Sequence, residues 1–304
     1  MRRASISFVA FLLPKDVIKY MQDAPAIKLV AIDIDGTLLN PQGQITPRTV
    51  AAVRAAQEAG IVVTLATARR YLNTGTLADS LGLSIPLIIY DGALIIEHPQ
   101  AKILHSHPLQ ASVAQQAVDV LIRYAVQPVV HHVVGLQEEI WTGPAERDNA
   151  WIAQYFSDFP RVIRRMAYEE LCVGQPDPLR VVAFAPEDVI ARFAPEISAL
   201  PCSWNSIKQG NYGYAEMAIM HTHCSKASGV VALARLLAIP LTQVMAIGDN
   251  NNDIEMLQAV GWGVAMGQAA THVKAVANAI TANNTEDGVA QAIERYALRL
   301  HSTL

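Results

Sequence analysis

The sequence predicts an α/β fold in which a doubly wound parallel sheet is interrupted by a separate α+β domain. Three observations carry that prediction. Short aliphatic runs end repeatedly in Asp, Thr or Gly and are followed by residues with helical periodicity. Hydrophobic residues make up 52% of the chain but aromatics only 6%, which gives an aliphatic core suited to helices packed on a parallel sheet. The strand–helix rhythm also stops near Ala93 and resumes near Lys226. The 304 residues, enough for about two domains, therefore divide into a lead segment 1–26, a first core part 27–90, an insert 91–215 and a second core part 216–304.

The first strand is Lys28-Leu-Val-Ala-Ile-Asp33-Ile-Asp35-Gly36-Thr37-Leu-Leu39, a buried run closed by Asp-Gly. Thr46-Pro47 then supplies an N-cap and a first-turn proline; Val50, Val53, Ala56 and Ala59 mark one helical face, and Gly60 ends it. Ile61–Ala66 reads as the second strand, Leu72–Leu81 as the second helix and Pro86–Tyr90 as the third strand, a right-handed βαβαβ unit. In the insert, strand-like pieces (94–96, 129–132, 180–184, 212–217) alternate with helical ones (112–124, 148–159, 186–194). The α/β rhythm returns with a helix from Lys226, a strand 243–247, a helix 254–259, short strands at 263–266 and 279–281, and a closing amphipathic helix from Asp287.

A net charge of −4 and the lack of Lys/Arg runs beyond pairs such as Arg69-Arg70 argue against a nucleic-acid surface. No run approaches the ~20 apolar residues of a membrane helix. The cysteines (Cys172, Cys202, Cys224) are odd in number and unpaired in spacing, which fits a reducing, cytoplasmic compartment and excludes a thiolate metal cluster. Arg2-Arg3 before the apolar stretch 6–13 resembles a short signal peptide, but Pro14-Lys15-Asp16 ends that stretch early. A loosely attached lead, or a start at Met21, is the expected reading.

Four groups of polar residues follow strands, where open α/β sheets collect ligands. Asp33 and Asp35 share one face if the strand continues through them, and a helix cap explains only one. A hard cation such as Mg²⁺ explains both. Thr67 sits beside the free amides of a turn and suits a phosphate oxygen, although a helix-cap role fits it too. Lys226 begins a helix between Ser225 and Ser228, where a plain surface lysine is the alternative. Asp249, Asn252 and Asp253 follow a strand directly and also read as turn formers. Their order and placement together suit phosphoryl transfer through a carboxylate nucleophile. Asp33, deeper in the strand, is the better nucleophile; Asp35, on the turn, reaches the leaving group. Thr67, nearby amides and Lys226 meet the equatorial oxygens.

Asp33-Ile-Asp35-Gly36-Thr37, Thr67-Ala-Arg69, Lys226 and Gly248-Asp249-Asn-Asn-Asn252-Asp253 resemble, in that order, the four motifs of the haloacid dehalogenase-like (HAD) superfamily. The long insert resembles the α/β cap of its Cof-type subgroup, and the resemblance covers about residues 27–304. It implies a Rossmann-like core with a cap, and a Mg²⁺-dependent phosphatase acting on small phosphorylated metabolites, either sugar or cofactor phosphates. It further implies Asp33 as nucleophile, Asp35 as general acid/base, and Asp33, Asp35 (through its carbonyl) and Asp249 as the metal set. Thr67, Ala68, Lys226 and Asn252 are the implied phosphate-binding positions, with Gly36 and Asp253 in support.

Three positions depart from the pattern: Ala68 for the usual Gly, Asp91 where Asn is common, and Gln268 where Asn is usual. None removes a catalytic group, and Asp91 adds a negative charge near the cap hinge. A phosphomutase or phosphotransferase using the same aspartyl phosphate is the alternative reaction, and a non-catalytic phosphate- or sugar-binding regulator the alternative class. His221-x-His223 lacks a third ligand in sequence and reads as a polar loop; of His131-His132, one at most faces the site. Trp141, Trp204, Tyr212 and Tyr214 are candidates for lining the pocket, each also readable as cap core.

Overall fold

The computed structural model describes residues 26–134, 137–157, 163–207 and 215–299. The lead segment and its signal-like stretch lie outside the described residues, as do Tyr212 and Tyr214. No described helix is long and apolar enough to cross a membrane.

The chain enters through β1 (Leu29–Ile32), all four residues fully buried. Helix α1 (Pro47–Glu58) is capped by Thr46, whose hydroxyl accepts from the Thr49 amide at 3.2 Å, and it buries Thr49, Ala52, Val53 and Ala56 on one stripe. β2 (Val62–Leu65), α2 (Tyr71–Ser80) and β3 (Pro86–Ile89) follow, then the hairpin of β4 (Leu94–Glu97) and β5 (Lys102–Ser106). Next come α3 (Ala111–Arg123), β6 (Pro128–Val134), β7 (Gln137–Thr142), α4 (Ala150–Ser157), β8 (Ile163–Arg165), β9 (Arg180–Phe184), α5 (Glu187–Ser198), β10 (Cys202–Ile207) and β11 (Glu216–His221). The chain closes with α6 (Lys226–Leu236), β12 (Val244–Gly248), α7 (Ile254–Ala259), β13 (Trp262–Ala265), α8 (Thr271–Lys274), β14 (Ala279–Ile280) and α9 (Gly288–Ala292).

The first sheet has the order β14-β13-β12-β1-β2 and is parallel throughout. Helices cover both faces. Ala52 and Val53 of α1 and Val289 and Ile293 at the C-terminal end pack on Val30, Ile32, Met245 and Ile247. Val230 and Leu233 of α6 and Met256 and Leu257 of α7 pack on Leu29, Ala31, Val244 and Ala246. Side-chain alternation along fully buried strands requires such a double layer. The second large sheet, β10-β11-β9-β6-β7-β8, is antiparallel except for β7 with β8, and α3 and α5 pack on one face. The α/β core and the additional α+β sheet unit thus match the expected fold class.

Details differ from the sequence reading. The third strand lies parallel beside the end of β2 as expected, through the bridge Ala66 to Ile88 and the Thr67 amide, which donates to the Ile88 carbonyl at 3.0 Å, and it also heads the antiparallel sheet β3-β4-β5. Tyr90 and Asp91 adopt positive φ (51° and 50°), which reverses the chain and lays β4 back on β3. The piece 94–96 is thus part of β4, which pairs with β3 and β5. The piece expected over 212–217 is β11, Glu216–His221, which pairs with β9 and β10 beyond the expected end of the insert at 215.

Candidate active site

Strand order reverses at β1, which returns through α1 to β2 on one side and meets β12 on the other. That switch point leaves a crevice at the C-terminal strand ends. Both acidic motifs sit there. Asp33 is the first residue past β1, and its amide donates to the Ile247 carbonyl at 3.0 Å; Asp249 is the first residue past β12.

Lys226 stands between two carboxylates. Its ammonium donates to Asp33 Oδ1 at 2.6 Å and to Asp253 Oδ1 at 2.7 Å, and all three side chains are buried. Burial alone would push the ammonium down, but Asp253, Asp33 and Asp91 more than offset it and hold it above its ordinary value. Asp253 is fully occupied: its Oδ2 accepts from the amides of Asp249 and Asn250, at 3.0 Å each, which fixes the loop after β12. Burial, followed by the charge of Asp253, holds the Asp33 carboxyl well above the usual carboxylate range. Asp249 is pushed up to about 6 by burial and Asp253, although the Thr37 hydroxyl donates to it at 3.0 Å.

Asp33, Asp249 and Asp253 offer oxygens within 4.8 Å of one another. Asp253 spends both oxygens on Lys226 and the loop amides, so the open oxygens belong to Asp33 and Asp249. Three carboxylates against one ammonium leave about two negative charges uncompensated, a deficit that a hard divalent cation on oxygen ligands makes good. Gly36 passes against this group: a Cβ there would stand 2.4 Å from Asp249 Oδ2, and its φ is +82°.

Asp35 is placed differently from the expectation. Strand pairing ends at Ile32, Asp33 stays extended, and the chain then forms a wide turn over Ile34–Leu38, so Asp35 does not share a strand face with Asp33. Its carboxylate is gripped by Arg69, Nε to Oδ2 at 2.8 Å and Nη2 to Oδ1 at 2.6 Å, and lies outside the acidic trio. Thr67 is buried, and its Oγ1 accepts from the Arg69 amide at 3.1 Å. The Ala68 carbonyl accepts from Arg180 Nη1 at 3.0 Å, which ties the phosphate-loop candidate to β9 of the six-stranded sheet. Asn252 donates to Asp91 Oδ1 at 3.1 Å, joining the loop after β12 to the turn after β3.

Arg69, Thr37 and Arg180 were not singled out from the sequence. Thr37 and Arg69 lie within the quoted motifs, whereas nothing local marks Arg180. Trp141 is buried on the six-stranded sheet, and Trp204 lines a cavity of about 690 Å³ with Asp91, Lys226 and Asn252. Asp33, Asp35 and Asp249 do not line that cavity. His131 and His132 are both buried, bonded to Tyr155 Oη (3.2 Å) and the Leu171 carbonyl (3.2 Å).

A family model described as haloacid dehalogenase-like hydrolase matches residues 30–293. The chain is 26% identical to the pyridoxal phosphate phosphatase YbhA of Escherichia coli K12, over 88% of this chain and 97% of that protein. It is 30% identical to the 5-amino-6-(5-phospho-D-ribitylamino)uracil phosphatase YcsE of Bacillus subtilis 168, over 90% and 96%. Among solved structures, a haloacid dehalogenase-like hydrolase from B. subtilis superposes with a TM-score of 0.72 at 26% identity, over 88% of this chain and 99% of that one.

Proposed function

The chain belongs to the haloacid dehalogenase-like hydrolase family and is a phosphoric monoester hydrolase; from that premise we propose how its own residues carry the reaction. Asp33 is the nucleophile: its carboxylate attacks phosphorus, the bond to the ester oxygen breaks, and that oxygen takes its proton from Asp35. Water then attacks the aspartyl phosphate, Asp35 accepts the proton, and phosphate leaves. The observation that carries this reading is the buried Lys226 ammonium 2.6 Å from Asp33, which aims one carboxylate oxygen and neutralises the approach of an anion.

An ammonium has three donors; two go to Asp33 and Asp253, and the third serves a phosphate oxygen. Thr67 and the amide of Ala68 meet the other oxygens, and Asn252 steadies the loop beside them. Asp35 exchanges the Arg69 fork for the leaving oxygen. Mg²⁺, held by Asp33, Asp249 and the Asp35 carbonyl, would supply positive charge facing the phosphoryl group. The substrates are small phosphorylated metabolites, sugar or cofactor phosphates; the relatives named for pyridoxal phosphate and a phosphoribitylamino-uracil support that class. We take the cap to be the α+β unit between the end of β5 and the end of β11. Three free cysteines support a reducing, cytoplasmic setting.

The test is phosphate release from a panel of sugar and cofactor phosphates with and without Mg²⁺, for the wild-type chain and Asp33→Asn. Release that requires Mg²⁺ and vanishes in the variant is expected. Undiminished release by folded Asp33→Asn would remove Asp33 from the mechanism.

A further inference from the structure

Gln268, one of the three positions that depart from the family pattern, lies on the loop between β13 and α8. β13 runs parallel beside β12 with Ala265 opposite Gly248, and the Met266 amide donates to the Gly248 carbonyl at 3.0 Å. The loop therefore leaves the sheet at the same end as Asp249. β12 stands between β13 and β1, and Gln268 reaches across it: its Nε2 donates to the Gly36 carbonyl at 2.5 Å. Its Oε1 accepts from the Asn284 amide at 3.1 Å, and Asn284 Nδ2 donates to the Leu39 carbonyl at 2.8 Å. A backbone amide pairs only with the oxygen of a side-chain amide, so the bond from Asn284 settles which end of Gln268 faces Gly36. The same segment also reaches the other acidic turn, where His272 Nε2 stands 2.5 Å from Asn251 Oδ1.

Gly36 is the point at which the turn after β1 needs holding. Its φ of +82° and ψ of −10° lie where glycine moves with little resistance. On one side of it is the Asp35 carbonyl. On the other is Thr37, whose hydroxyl donates to Asp249 Oδ1 at 3.0 Å. Rotation at Gly36 displaces both. Gln268 is itself exposed, and an exposed hydrogen bond adds little to the stability of a fold. The consequence of this bond lies in where it leaves the oxygens around Gly36.

We propose that Gln268 is a positioning residue for the Mg²⁺ site. By holding the Gly36 carbonyl it keeps the Asp35 carbonyl and, through Thr37, the Asp249 carboxylate in place ahead of metal binding. The inference rests on the reading of the Asp35 carbonyl and Asp249 as metal ligands. Order of this kind reduces the cost of binding without adding a ligand.

The experiment compares wild type with Gln268→Met, which keeps a side chain of similar length and removes both hydrogen bonds. Mg²⁺ binding to the metal-free proteins is measured by isothermal calorimetry, and phosphate release is measured over a range of Mg²⁺ concentrations. The variant should bind Mg²⁺ about tenfold more weakly, at the low end of what partners of metal ligands contribute. The Mg²⁺ concentration giving half the maximal rate should rise in step. Excess Mg²⁺ should restore most of the lost rate, which general damage to the site would not allow. Gln268→Ala should give the same shift, which separates loss of the hydrogen bonds from any effect of the methionine side chain. Affinity equal to the wild type's overturns the proposal, as does a lost rate that excess Mg²⁺ leaves unrestored. Absence of Mg²⁺ binding in the wild type would remove the metal reading and this inference with it; binding that Gln268→Met matches removes the inference alone.

Discussion

Lys226 is the residue on which the site's electrostatics turn. It is the partner of two buried carboxylates 193 and 27 positions away in sequence, and removing it leaves both without a counter-charge. Lys226→Met should lower stability by about 3–5 kcal/mol in urea unfolding and reduce phosphate release by about 10²–10³-fold. Wild-type stability in that variant would show that the pair carries no buried charge. Asp249 gives a pH dependence with a definite sign. Its carboxyl is held at about 6 in the folded chain against 3.8 for the free group, so the metal-free folded state binds its proton more tightly than the unfolded state does. Stability from this source is full below about pH 4 and is lost as pH rises towards 6. A divalent cation competes with that proton, so the rise in Tm on adding Mg²⁺ should be larger at pH 7.5 than at pH 5. An equal rise at both would detach Asp249 from the metal.

At the scale of elements, Lys226 is placed by how helix α6 seats on its neighbours. A Cβ at Gly229 would meet Ile88 Cγ2 at 2.4 Å and the Gly92 Cα at 3.0 Å, so the helix approaches β3 and the turn after it backbone to backbone. Alanine is the better helix former by about 1 kcal/mol, yet Gly229→Ala should destabilise by about 1–3 kcal/mol through overpacking. It should also lower kcat by displacing Lys226. A variant that melts higher and turns over normally would contradict this seating. The turn after β1 is constrained in a similar way: Gly36→Ala adds a Cβ 2.4 Å from Asp249 Oδ2 at a φ of +82°. Its expected signature is loss of the Mg²⁺-dependent rise in Tm.

For the whole molecule, the consequential contact is the one that lowers the six-stranded sheet onto the crevice. Arg180 of β9 donates to the Ala68 carbonyl and lies 4.8 Å from the centroid of the Tyr90 ring, while Glu138 of β7 accepts from the Tyr71 amide at 3.0 Å. Closure of this kind excludes water and lets the cap sample the leaving group. Arg180→Ala should therefore cut kcat/KM on sugar and cofactor phosphates by at least about tenfold, or about 1.4 kcal/mol. Acetyl phosphate, whose leaving group is small, should lose less. Equal losses on both would assign Arg180 to the phosphate rather than to the cap.

Local pattern was enough for much of this protein. Apolar runs, the Thr46 cap and the strand-end motifs located β1, α1, β2, α6 and β12, because strand and helix periodicities and capping are properties of a few adjacent residues. The same patterns put Asp33, Thr67, Lys226 and Asp249 at strand or helix ends. Tertiary structure alone decided that Asp35 faces Arg69 rather than the acidic trio, that β3 turns back into an antiparallel hairpin with β4, that β11 pairs with β9 and β10, and that Arg180 reaches Ala68. Each of these depends on the direction a side chain takes after a turn, or on which strand a backbone edge meets across long sequence separations. One residue's change of φ from negative to positive, as at Tyr90, redirects everything after it, and the hydrophobic pattern around that residue does not record the change.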